Sequence, residues 1–246
     1  VERRLVEALE MPVLHDDQHG TAVATLAAAT NAMRRAGLEL ASAHVGVIGL
    51  GAAGTAIARM LGAVTAKPVL GFDPGPEAIA RLRALGGEPA KDIADLMARV
   101  DLVVAVTGRA GLISPAWVRR GQGILALTNP EPEIRPEDAL AAGAAFAADG
   151  RSVNNLLGFP GILRAAIDVR ARRIDYTMYV AAAKAIAERA RENELVPNPL
   201  RLDVHRAVAR AVAEAAIKAG VARVVIPSDY QLDQPVRPAH DELNAG

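Results

Sequence analysis

Between residues 44 and 150 short apolar runs alternate with amphipathic stretches. The alternation predicts strands at 45–49, 68–72, 101–106, 123–128 and 144–147, and helices at 52–64, 76–85, 91–99, 114–120 and 136–142. Several of the runs have no polar side, as in Leu102-Val103-Val104-Ala105-Val106. A strand without a polar face is covered on both sides, so the expected fold is α/β: a doubly wound, Rossmann-like parallel sheet with helices on each face. In such sheets ligands sit at the C-terminal ends of the strands.

The flanks are helical. Residues 1–10 read as a short charged helix, and 21–36, rich in Ala and Leu with few charges, as a buried helix ending at Gly37. Past Gly150 the strand signal stops, and helical periodicity marks 162–169, 176–191 and 204–219, with Pro197 and Pro199 separating the last two. One domain is expected over 1–225, with the helices of 1–37 and 162–220 packed on the sheet. Residues 226–246 hold three prolines and many polar residues and read as a tail or an interface arm.

The first predicted strand runs into V-G-V-I-G-L-G-A-A-G, where Gly49, Gly51 and Gly54 form a G-x-G-x-x-G pattern opening a helix. Strand, glycine turn and helix is the arrangement that sets a dinucleotide pyrophosphate on a helix N-terminus. Gly49 makes the turn, Gly51 lets the backbone approach the phosphate, and Gly54 lets the helix lie close to the strand. Ala52 and Ala53 then supply backbone N–H groups. The pattern alone also fits a tight turn without a ligand. A second apolar run ending in Asp73 supports the dinucleotide, because an acid there would bind the adenosine ribose hydroxyls. Asp73 would repel a 2′-phosphate and no arginine follows at once, so NAD is expected over NADP.

Composition narrows the field. Lys plus Arg equals Asp plus Glu at 28 each, so no excess charge draws the chain to nucleic acid or membrane. There are no cysteines, which excludes thiolate chemistry and disulfides and fits a cytoplasmic protein. No apolar run approaches the roughly 18 residues of a membrane span. The chain opens on Val1 inside an amphipathic stretch, as a fragment of a longer protein would.

Candidate chemistry lies in loops. Asp16 and Asp17 precede the helix at 21–36, where one could cap it. Equally they could offer carboxylate oxygen to Mg2+ or Mn2+. Spacing favours the cap. His15 and His19 flank the pair and read as polar loop residues rather than ligands, close as they are to Pro12 and Gly20. Asn129 follows a strand, and Asn154 and Asn155 precede Phe159-Pro160-Gly161. Each could satisfy turn backbone or donate to a substrate carboxylate.

Taken together, Pro12-Val13-Leu14-His15-Asp16-Asp17-Gln18-His19-Gly20-Thr21-Ala22, the glycine turn, Thr128-Asn129-Pro130-Glu131-Pro132-Glu133 and Val153-Asn154-Asn155-Leu156-Leu157-Gly158-Phe159-Pro160-Gly161 resemble malic enzyme, and residues 208–223 are similar as well. The resemblance implies metal-dependent oxidative decarboxylation of malate to pyruvate and carbon dioxide, with hydride passing to NAD or NADP. It implies that Asp17 is a metal ligand and that Asp16 contacts a catalytic lysine in a supporting role. Asn129 would hold substrate and cofactor, and Asn155 substrate. It also implies a dimer or higher oligomer.

Two departures accompany it. The family's catalytic tyrosine and lysine and its Glu-Asp metal ligands lie N-terminal to Val1, and Gly150-Arg151-Ser152 runs into Val153 without the family's usual intervening residues. The chain alone is therefore expected to bind a dinucleotide and turn malate over poorly. A truncated, non-catalytic dinucleotide-binding module and a malolactic enzyme are the alternatives.

Overall fold

The computed structural model describes residues 2–9, 11–192 and 194–226. Its centre is one six-stranded, all-parallel sheet in the order β3-β2-β1-β4-β5-β6. The strands are β1 (Val45–Ile48), β2 (Leu70–Phe72), β3 (Glu88–Pro89), β4 (Leu102–Ala105), β5 (Gly123–Ala126) and β6 (Phe146–Asp149). β1, β4 and β5 are buried along their whole length, as strands without a polar face must be. β1 pairs with β2 on one side and β4 on the other, with Ile48 opposite both Phe72 and Ala105. Strand order reverses there, and the crevice beyond the ends of β1 and β4 is where an open α/β sheet binds its ligand.

Helices connect the strands: α3 (Ala52–Gly62), α4 (Pro76–Ala84), α5 (Ile93–Arg99) and α6 (Pro136–Ala141). α2 (Thr21–Arg35) precedes the sheet, α1 (Glu2–Ala8) precedes α2, and α7 (Phe159–Asp168), α8 (Tyr176–Glu188) and α9 (Leu202–Lys218) follow. α2 packs on α3 and β5 with one flank and on α8 with the other. Its alanines, Leu26 and Met33 are therefore buried almost all round, and a helix so apolar has no solvent face to present. α7, α8 and α9 pack chiefly on one another and on α2. α1 leaves Leu5 and Val6 exposed.

Three expectations differ from the structure. The helix expected at 114–120 is only a 3-10 turn, Pro115–Trp117. Beyond it the backbone is held by side chains instead: Arg119 Nε donates to Met97 O at 3.2 Å, and Gln122 Nε2 donates to Met97 O at 2.9 Å and Val100 O at 2.8 Å. These bonds close the C-terminus of α5, whose last carbonyls lack helical partners. The last strand begins two residues later than expected, at Phe146. An edge strand, β3, carries no apolar pattern at all, yet Glu88 N donates to Val69 O and Ala90 N to Gly71 O, both at 2.9 Å. Of the expected tail only Ile226 is described, half-buried against the core; residues 227–246 lie outside the described residues.

Candidate functional site

The glycine turn has the three tasks read from its spacing. Gly49 adopts φ +87, and a Cβ there would meet Val106 O at 2.7 Å. Its N–H donates to Phe72 O at 2.8 Å, so the turn is wedged between the ends of β2 and β4. A Cβ on Gly54 would lie 1.9 Å from Gly49 O, so helix and turn touch backbone to backbone. Around Gly51 a Cβ would meet nothing within 4 Å. That open face borders the first turn of α3, which has no side-chain cap. Ala52 and Ala53 lie in that turn, where N–H groups have no helical acceptor, and an anion is the natural partner.

Asp73 stands at the end of β2. Its Oδ2 accepts from Leu50 N and its Oδ1 from Gly75 N, both at 2.8 Å. The carboxylate thus fixes the glycine turn from the side where the adenosine ribose would lie. Arg81, one helix turn into α4, reaches back to donate to Leu50 O at 3.3 Å. In sequence Arg81 lies eight residues beyond Asp73, on the next helix. The fold brings it beside the residue that Asp73 holds.

The residues 16–20 form a helical turn of π type that continues directly into α2. This corrects two expectations. Neither Asp16 nor Asp17 caps α2, because Gly20 before it is already helical and the chain enters this helix at His15, without a side-chain cap. His15 is the exposed loop residue expected, just before the turn, but His19 lies within the turn. His19 Nε2 donates to Glu2 Oε1, 2.8 Å away, and the ring stacks on Tyr179 with centroids 4.7 Å apart. Burial lowers the His19 pKa, with Glu2 opposing.

Asp16 is tied across the chain to Asn155, whose Nδ2 donates to Asp16 Oδ2. Asp16 Oδ1 is buried with no hydrogen-bond partner. Burial first, then the neighbouring charge of Asp17, raises the Asp16 pKa. A Cβ on Gly20 would sit 2.0 Å from Asp16 Oδ1, so glycine is what lets the carboxylate fold back over the helix. Asp17 is exposed. Among the described residues no three His, Cys, Asp or Glu side chains converge as a metal site. Asp17 can offer one carboxylate; the described residues alone do not complete an octahedral Mg2+ or Mn2+ shell.

The three asparagines have separate placements. Asn154 caps the 3-10 turn Asn155–Leu157, accepting from Leu156 N at 2.8 Å, which is the turn-forming reading. Asn155 holds Asp16. Asn129 is exposed after β5, its peptide to Pro130 is cis, and its amide lies against Gly150, where a Cβ would be 2.7 Å from Asn129 Nδ2.

Sequence reasoning did not single out Glu133 as more than part of a motif. It is fully buried, and its Oε1 accepts from Thr107 N at 2.7 Å and Thr107 Oγ1 at 2.9 Å and from the Thr128 hydroxyl. Thr128 N completes the set at Oε2, 3.3 Å away. Thr107 follows β4 and Thr128 follows β5, so one buried carboxylate clamps both loops that edge the crevice. Only a long-range contact reveals it; an acid among prolines gives no local signal.

Residues 7–109 match a family model described as D-isomer specific 2-hydroxyacid dehydrogenase, NAD binding domain. NAD-dependent malic enzyme 1 of Bacillus subtilis (strain 168) is 56% identical over 219 residues, covering 89% of this chain and 50% of that protein. NADP-dependent malic enzyme of Halomonas elongata is 36% identical over 270 residues, covering 94% of this chain and 64% of its own length. The crystal structure of malic enzyme from Pyrococcus horikoshii Ot3 superposes with a TM-score of 0.82 at 37% identity, over 91% of this chain and 59% of that one. The chain thus spans about half to two-thirds of the length of these three relatives. By sequence and by fold it is a homologue of the malic enzymes, and the part it shares with them is a Rossmann-type dinucleotide-binding domain.

Proposed function

We propose that this domain serves a metal-dependent enzyme that oxidises malate and releases pyruvate and carbon dioxide, with hydride passing to NAD. The observation that carries the reading is the Asp16–Asn155 bond: it joins an N-terminal carboxylate turn to the loop beyond β6, and that turn also packs on α3, the helix of the glycine turn. Hydride leaving C2 of malate gives a β-keto acid, whose loss of carbon dioxide needs its ketone oxygen stabilised as charge develops. This chain's residues bind and orient. Gly51 and the start of α3 receive the pyrophosphate, Asp73 the adenosine ribose, and Asn129 the nicotinamide end and the substrate carboxylate. Asn155 contributes to substrate binding through a position fixed by Asp16.

A nicotinamide dinucleotide, when bound, supplies the hydride acceptor. Asp17 is the carboxylate this chain would offer to Mg2+ or Mn2+, with the remaining ligands supplied from outside the described residues. Neither Tyr179, stacked on His19, nor the exposed Lys184 stands as the acid or base. The active protein is proposed to be a homo-oligomer in the cytoplasm; no helix among the described residues is long and apolar enough to cross a membrane.

The test is malate-dependent NAD reduction with Mn2+ by the protein that carries this domain, with pyruvate measured enzymatically. Pyruvate formed in step with NADH is expected. NADH without pyruvate, or no malate-dependent reduction, would overturn the proposal.

A further inference from the structure

Away from the crevice, a cavity of about 270 Å³ opens between α3 and α4, under the turn at 16–20 and the start of α8. Its polar lining is Gln18, His19, Thr55, Arg59, Arg81 and Tyr176. Among the described residues no Asp or Glu lines it. Arg59 comes from α3 and Arg81 from α4, so the two guanidinium groups are set by different helices.

The donors outnumber the acceptors. Among the described residues Arg59 makes no hydrogen bond or ion pair, and its guanidinium lies 4.8 Å over the Tyr176 ring. Arg81 spends one N–H on Leu50 O. The Tyr176 hydroxyl is buried with no partner, and burial pushes its pKa up to about 12, so at neutral pH it carries a proton to donate. Of the described carboxylates near it, Glu2 is bonded to His19 at the cavity edge and Asp73 to the backbone of Leu50 and Gly75. Two cations sharing one hollow repel each other unless an anion joins them, and a planar guanidinium fork matches an oxyanion.

We propose that this cavity binds a small dianion of the phosphate type, held between Arg59 and Arg81 with the Tyr176 hydroxyl as a third donor. Two sources share that chemistry. One is free phosphate or a small phosphate ester. The other is the 2′-phosphate of a dinucleotide whose ribose lies at Asp73, because Arg81 and Asp73 bond to the same residue, Leu50. The second source rests on the dinucleotide reading; the first does not.

Calorimetric titration of the protein with inorganic phosphate at constant ionic strength tests the proposal. Saturable binding is expected, weakened about tenfold or more by Arg59→Ala and by Arg81→Ala, the loss of one charge-assisted bond. Arg83→Ala, on α4 but outside the cavity, should leave it unchanged. Phosphate displaced by NADPH but not by NADH assigns the 2′-phosphate; phosphate retained with both assigns a free anion. Thermal unfolding without phosphate monitors the fold of each variant, and Arg59→Lys, which keeps the charge, should recover part of the affinity. NADH binding is measured separately, so its failure would strike the dinucleotide reading and leave the phosphate arm standing. No saturable binding below roughly 10 mM phosphate, or affinity indifferent to both arginine variants, would overturn the proposal.

Discussion

Gly51 and Gly54 are three residues apart in one turn, and replacing each by alanine should break different things. At Gly54 the added Cβ would be 1.9 Å from Gly49 O, a backbone atom, and 3.2 Å from Val106 Cγ1. No rotamer relieves a backbone collision, so α3 must move off β1. Overpacking of this kind costs about 1 to 3 kcal/mol, against a helix-propensity gain of about 1 kcal/mol for alanine over glycine. The geometry is at the severe end, so the net expectation is a loss of about 2 kcal/mol. At Gly51 the Cβ meets nothing within 4 Å, and the backbone there is extended, at φ −66. The poorer N-cap costs about 0.5 kcal/mol, and the reduced freedom of the unfolded chain returns about as much. Stability should therefore hardly change.

Dinucleotide affinity reverses the order of interest. The methyl group of Gly51→Ala occupies the face that the pyrophosphate needs. Losing one or two charge-assisted bonds of about 1.5 kcal/mol or more each predicts NADH binding weakened roughly 10- to 100-fold. Urea unfolding and titration of NADH fluorescence, run on both variants, decide the matter. If Gly51→Ala destabilises the fold as much as Gly54→Ala, or binds NADH as the parent does, the assignment of tasks within the turn is wrong.

Four further expectations can be checked alongside. Glu133→Ala takes the acceptor from two buried donors on Thr128 and two part-buried donors on Thr107 and should cost about 3 kcal/mol or more in urea unfolding; a loss under about 1 kcal/mol would show that the clamp is not needed. Because burial lowers the folded pKa of His19, the unfolded chain binds the proton more tightly. Stability is therefore whole above the unfolded value near 6.5 and falls as pH drops through it, so His19→Gln should flatten that slope in urea midpoints; an unchanged slope refutes it. The Asp16 pKa is raised, so its ionisation penalises the fold above its folded value and not below the ordinary value of 3.8. Asp16→Asn should accordingly gain in melting temperature relative to the parent as pH rises, and a pH-independent difference would contradict this. Asp73→Asn should weaken NADH more than NADPH, and equal losses for both would remove Asp73 from cofactor choice.

Much of the sheet was legible because β1, β4 and β5 are apolar on both faces, a pattern that few other structures produce. The glycine turn was legible for a related reason: each glycine answers to a steric demand within a few residues along the chain or across one strand pair. What escaped was decided by contacts distant in sequence. β3 is a glutamate and a proline, and what makes them a strand is backbone bonding to the β2 edge. The helix expected at 114–120 gave way because Arg119 and Gln122 bond to α5. Asn31 is of the same kind: buried in α2, it donates to Ala187 O and Leu195 O, at 3.0 and 2.9 Å, and so closes the end of α8 from more than 150 positions away. At the site, the adjacent carboxylates were visible as a pair. Their division of labour was not, because it depends on Asn155 reaching Asp16 and on Gly20 making room.

A crystal structure of the protein with NADH bound tests the central claim most directly. The pyrophosphate is expected over Gly51 and the first N–H groups of α3, the adenosine ribose hydroxyls on Asp73, and the nicotinamide toward Asn129. A nucleotide seated elsewhere, with the face of Gly51 left open, would contradict it.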